Sequence, residues 1–200
     1  MTHTLFYRLS LGATLLALCV IILGAYVRLS DAGLGCPDWP GCYGQILAPT
    51  AEQDVHAANQ AYPDRPVESH KAWKEMAHRY LASTLGLIIL ALACLAIKRR
   101  HHPEQALILP LALVLVVCFQ GALGMWTVTL LLKPAIVTLH LLGGMLTLGL
   151  LSWLSLSQKF PRHKRIPVPA PTKKWAFFAL IVLCLQISLG GWTSTNYVAL

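Results

Sequence analysis

Five long apolar stretches, at residues 5–27, 77–97, 107–132, 136–157 and from 175 onward, alternate with polar connections along the 200-residue chain. A helix needs roughly 20 mostly apolar residues to cross a bilayer, and each stretch meets that length. The pattern predicts an all-α polytopic membrane protein: an antiparallel four-helix transmembrane bundle followed by a fifth transmembrane helix. No small-residue cleavage site of the Ala-x-Ala type follows the first stretch, so it reads as a retained helix and not as a signal peptide. The longest polar connection covers residues 28–74. Its first part, rich in Gly and Pro around Cys36 and Cys42, cannot extend a helix and suggests a specifically folded loop. Its second part, residues 46–71, reads as polar surface with room for one short helix.

Composition agrees, since 56% of residues are hydrophobic and only 12% are charged. The net charge of +8 changes the picture only through its placement. Lys98, Arg99 and Arg100 follow the second stretch, and Lys159, Arg162, Lys164, Arg165, Lys173 and Lys174 follow the fourth. Short basic loops stay in the cytoplasm, which puts the amino terminus inside and the 28–74 loop outside, on the periplasmic side of an inner (plasma) membrane. Seven of the eight acidic residues lie in or beside that loop, and only Glu104 is inside. The basic surplus therefore reports topology, and nucleic acid is excluded as a partner. The expected organisation is a bundle at residues 1–157, a basic linker at 158–174, and the start of a second, truncated bundle at 175–200.

Cys19, Cys94, Cys118 and Cys184 fall inside apolar spans and read as small buried hydrophobes. Cys36 and Cys42 flank Pro37, Asp38, Trp39, Pro40 and Gly41 on the oxidising side, which suits a short-loop disulfide, with a metal-binding pair as the alternative. His56 and His70 read as solvated, and no role is assigned to His3, His101, His102 or His163.

Chemistry concentrates where the outer loop turns into the second span. Glu75, His78 and Arg79 are spaced i, i+3, i+4 and share one helical face at the membrane edge, where ionisable groups are site candidates. A second intramembrane histidine, His140, lies near the start of the fourth span. In an up-and-down bundle the second and fourth helices are parallel and diagonally opposed, so His78 and His140 can meet at one depth near the outer surface. Two such histidines suit a haem iron, and each alone suits a helix-to-helix hydrogen bond. Copper or zinc would need a third ligand that the sequence does not offer. Glu75 reads either as a helix-start carboxylate paired with Arg79 or as an acid-base group beside a haem face. Arg28 and Arg79 can clamp propionates or snorkel to the interface. Gln120, near Gly121 and Gly124, reads as a pocket contact or an interhelical hydrogen bond, with Trp126 further along the span as a second pocket candidate. Lys133 and Pro134 form a tight outer turn. Leu-Gly followed by a small or Met residue and an aromatic recurs as Leu23-Gly24-Ala25-Tyr26, Leu123-Gly124-Met125-Trp126 and Leu189-Gly190-Gly191-Trp192, as though the fifth span restarts the pattern of the first.

The run from Gly24 through Cys42, the Glu75-x-x-His78-Arg79 motif, Gln120-x-x-Leu123-Gly124 and His140 together resemble the haem A synthase family over essentially the whole chain. The resemblance implies an eight-helix enzyme of two four-helix halves, each with a histidine pair, that oxidises the C8 methyl group of haem O to a formyl group. It implies Glu75 as the catalytic carboxylate, His78 and His140 as axial haem ligands, Cys36 and Cys42 as a disulfide, and haem b as a cofactor held by the second half. Because the sequence stops at Leu200, that second histidine pair is expected from a partner or from a longer chain. A haem O synthase, an electron donor and membrane lipid are the expected partners, with a homo-oligomer left open. The competing classes are a bis-histidine membrane cytochrome b that needs no carboxylate, and a thiol-oxidising or quinone-linked protein working through Cys36 and Cys42.

Overall fold

The computed structural model of the chain describes residues 2–101, 106–159 and 167–197. His102, Glu104, Arg162, His163, Lys164, Arg165, the residues after Tyr197 and the side chain of His3 lie outside the described residues. Six helices are described: α1 (Thr2–Leu29), α2 (Glu52–Ala61), α3 (Ser69–Lys98), α4 (Ile108–Thr129), α5 (Pro134–Lys159) and α6 (Ala170–Tyr197). All but α2 are long and apolar enough to cross a membrane, so the chain is an all-α polytopic membrane protein.

Helix adjacency closes the bundle. α1 packs against α3 and α5, and α4 packs against the same two, so α3 stands diagonally across from α5. α6 lies outside this square against α5. At the end away from the long loop, Phe6, Ala13, Ala17, Leu85, Ile89, Leu92, Leu113, Leu151 and Leu154 form one buried apolar cluster. The small Ala13 and Ala17 let α1 approach its neighbours closely, as small residues do where lipid leaves only packing to hold helices together. A second buried cluster, of Cys36, Cys42, Tyr43, Ala48, Ala58, Ala72 and Met76, forms between the long loop and the start of α3.

Two features differ from the sequence reading. α3 begins at Ser69, well before the apolar stretch at residue 77, because its polar first turns bury Ala72, Glu75 and Met76 against the loop. Cys19, Cys94, Cys118 and Cys184 are exposed and not buried. Lipid is as apolar as a helix interface, so a small thiol is tolerated on either side of a spanning helix.

The loop is built as a cap. Cys36 and Cys42 are joined by a disulfide. Asp38 accepts hydrogen bonds from the backbone N–H of Tyr43 at 2.6 Å and of Gly44 at 2.7 Å, where the backbone adopts positive φ. The Tyr43 ring packs edge-on against Tyr62 just beyond α2. Gly35 sets the whole cap onto α3: a Cβ there would lie 2.6 Å from the Lys71 carbonyl carbon and 2.7 Å from the Ala72 nitrogen. Those are backbone atoms of a helix and cannot yield as a side chain would. Gly35→Ala is expected to destabilise the chain by about 1–3 kcal/mol, the usual cost of overpacking, read as a lower thermal midpoint in detergent; an unchanged midpoint would show that the cap is not seated through this contact.

Candidate functional site

Between the two apolar clusters lies a layer of polar side chains and glycines contributed by all four bundle helices. α3 supplies Glu75, His78 and Arg79, α5 supplies His140, α4 supplies Gln120 and Gly124, and α1 supplies Gly24. The helical spacing of Glu75, His78 and Arg79 lets one helix end serve both the cap above and the bundle interior below.

Glu75 is 5% exposed, and both carboxylate oxygens are engaged. Oε1 pairs with the Nη2 of Arg79, and Oε2 accepts the backbone N–H of Cys36 at 3.0 Å. Arg79 uses its other terminal nitrogen, Nη1, to donate to the carbonyls of Asp38 at 3.0 Å, Pro40 at 3.2 Å and Gly41. The disulfide loop is thus tied to α3 through one guanidinium and one carboxylate. This absorbs Arg79 into the cap and places Glu75 directly below the disulfide. Arg28, the other candidate clamp, donates from Nη2 to the Ser194 carbonyl of α6 at 3.2 Å.

The histidines occupy facing walls. The His78 ring lies against Gly24, where a Cβ would approach its Cε1 to 2.8 Å. The His140 ring lies against Gly124, where a Cβ would be 3.5 Å from its Cε1. Each Nδ1 is buried without a hydrogen-bond partner. Gln120 is 9% exposed and lies over Gly143, with both amide atoms unpartnered. Trp126, at 36% exposure, stands near the carboxy-terminal end of α4. No three His, Cys, Asp or Glu side chains converge as a metal-ion cage among the described residues. His56, His70 and His101 are exposed. Sequence pointed to the polar groups of this layer and to Gly124 as a place of close approach, but not to Gly24 as the wall behind His78; the repeated Leu-Gly motif was the available signal.

Fold and site together define a polytopic membrane protein that gathers two histidines, a glutamine and a capped carboxylate at one end of a four-helix bundle. The model of the COX15-CtaA family, described as cytochrome oxidase assembly protein, matches residues 7–200. The chain is 48% identical to a haem A synthase of Shewanella oneidensis, over 100% of this chain and 59% of that protein. It is 29% identical to a haem A synthase of Allorhizobium ampelinum, over 92% of this chain and 55% of that protein, and 27% identical to one of Granulibacter bethesdensis, over 92% and 54%. The chain belongs to the COX15-CtaA family, and it spans somewhat over half the length of these relatives. No solved structure matches it.

Removing the guanidinium tests the cap. Arg79→Gln leaves a buried carboxylate without its cation and is expected to cost about 3–5 kcal/mol, as broken buried ion pairs do. Arg79→Lys, which keeps the charge but loses the planar fork, should recover only part of this. Thermal unfolding in detergent reads both, and a loss below about 1 kcal/mol for the Gln variant would mean that the loop is held by the disulfide and Gly35 without Arg79.

Proposed function

We propose that the chain carries the haem O site of a haem A synthase, in which the C8 methyl group of haem O is oxidised to a formyl group by successive hydroxylations. The observation that carries this reading is the pair of glycine-backed histidines with unpartnered Nδ1 atoms on diagonally opposed helices, beneath a buried carboxylate. A buried imidazole nitrogen without a partner is costly within a bilayer and calls for a ligand. Two histidines without a third donor fit the axial positions of a haem and not a bare metal ion. The glycine walls suit a flat macrocycle, since no side chain stands between each imidazole and its neighbouring helix.

In this reading His78 and His140 hold the substrate iron, and the bound haem supplies the redox chemistry at its own periphery. The rest falls to this chain's residues. α3 fixes His78 and Glu75 one turn apart on a single rigid element, so the carboxylate is placed relative to the bound ring by helix geometry. The Cys36 N–H and the Arg79 guanidinium hold the Glu75 oxygens in one orientation. From there Glu75 accepts a proton released as the methyl carbon is oxidised, or opposes positive charge developing on that carbon. The disulfide cap excludes bulk water from that end of the bundle. A haem b cofactor, if the family's second half supplies it, would be held by residues outside this chain.

The same reading assigns the cap and the site to the periplasmic side of an inner membrane, with the amino terminus in the cytoplasm. Lys98, Arg99 and Arg100 at the far end of α3 and the acidic residues of the loop support that orientation. A haem O synthase supplying substrate within the bilayer, dioxygen as the oxidant and an electron donor to reduce it are the partners this reading takes, and a homo-oligomer is compatible with it.

The test is an optical spectrum and pigment extraction of the chain purified in detergent with a haem O source. Wild type should retain haem O, and His78→Ala and His140→Ala should each lose at least tenfold in affinity. Retention of haem in both variants would end the axial-pair reading, and tightly held haem b alone would favour a cytochrome. Glu75→Gln should keep the haem while lowering oxidised product by about 10²-fold or more, the range of general acid-base catalysis; full product from the Gln variant would remove Glu75 from the chemistry.

A further inference from the structure

Gln120 lies one helical turn before Gly124 in α4, and its side chain crosses to Gly143, one turn beyond His140 in α5. Both amide atoms, the donor Nε2 and the acceptor Oε1, are buried and unpartnered. Leu or Met would fill this volume without stranding two polar atoms at membrane depth. The interhelical hydrogen bond that sequence alone allowed for Gln120 is not made. Its neighbour is the backbone of a glycine, and any Cβ at position 143 would overlap the amide.

A ligand group that satisfies both amide atoms must donate and accept. A carboxylate accepts only, as does a carbonyl, whereas an alcohol does both. We propose that Gln120 is a specificity-determining residue that recognises a hydroxyl carried by the bound porphyrin. This rests on the reading of the bundle as the haem O site. Haem O bears an alcohol on the alkyl chain that replaces a vinyl group of haem b, and haem b lacks it. The position fits an uncharged polar group: Gln120 lies on the side of Gly124 away from the cap, since the outer end of α4 runs into the turn where Leu132 meets Gly33. A charged propionate is better accommodated toward the cap end, closer to the membrane surface, than at this depth. A site built to hydrogen-bond a substrate alcohol discriminates strongly against the analogue lacking it, because its own polar groups are then left unpaired.

The experiment is a titration of the full chain in detergent with haem O, its C8-hydroxymethyl form and haem b, read by the Soret shift, for wild type, Gln120→Leu and Gln120→Met. Met keeps the side-chain length and Leu is one atom shorter, both suit an apolar surrounding, and unchanged haem b affinity shows that the bundle is intact. The expected result is at least tenfold weaker binding of an alcohol-bearing haem in both variants, with haem b unaffected. Loss for haem O assigns the contact to the chain alcohol. Loss for the C8-hydroxymethyl form alone would overturn the proposal, because C8 lies at the cap end beside Glu75. Equal losses for all three haems, or none, would overturn the proposal and leave the haem site standing. Wild-type protein that binds no haem would overturn both.

Discussion

The guanidinium of Arg79 is the contact on which the loop-capped half of this protein depends. A loop lying across the mouth of a membrane bundle carries carbonyls that would otherwise be stranded between water and apolar side chains. Arg79 donates to three of them and pairs with Glu75, so one side chain satisfies the loop and orients the carboxylate. Lysine has the charge but not the five fixed donors that such a pattern needs. Because Glu75 also accepts the Cys36 N–H, the carboxylate, the disulfide and the first turns of α3 form one mechanical unit. His78, one turn further along the same helix, inherits its position from that unit.

Below the cap, the bundle separates two tasks by depth. Its far half is a conventional packed core around Ile89, Leu113 and Leu151. Its near half replaces large side chains with glycine, histidine and glutamine and leaves several polar atoms unpartnered. Such an arrangement is unfavourable taken alone and is stable only because the far core and the cap hold the helices apart from both ends. The layer therefore has the character of a preorganised site, held from one end by the far core and from the other by the cap that fixes Glu75.

The spans, the one short loop helix, the diagonal placement of His78 and His140 and the pairing of Glu75 with Arg79 were legible in the sequence, because each is written in a local period or an apolar length. What Arg79 does beyond that pairing was not. Its carbonyl partners lie about forty residues upstream, in a loop whose path no periodicity encodes. Arg28 was equally opaque, since its partner is a backbone carbonyl of α6. The four span cysteines were misplaced for a different reason. In a membrane the apolar pattern runs around the whole helix, so sequence does not separate the face that meets lipid from the face that meets protein.

The recurring Leu-Gly motif gains a physical meaning from the two histidines. In its first copy Gly24 forms the floor beneath the His78 ring, and in its second Gly124 does the same for His140. Each ring is carried by one helix and rests on the glycine of the next, so the motif marks the wall opposite a histidine and not the histidine's own helix. The third copy follows a different rule: Gly190 has nothing near it, while Gly191 packs against Leu141 and Thr138 of α5. Where α6 meets the bundle, close helix packing alone accounts for the small residue. A bare glycine backbone at Gly190 is the surface that the first two copies present to an imidazole, and the repeat is thus a packing rule first and a site marker only where a histidine stands across from it.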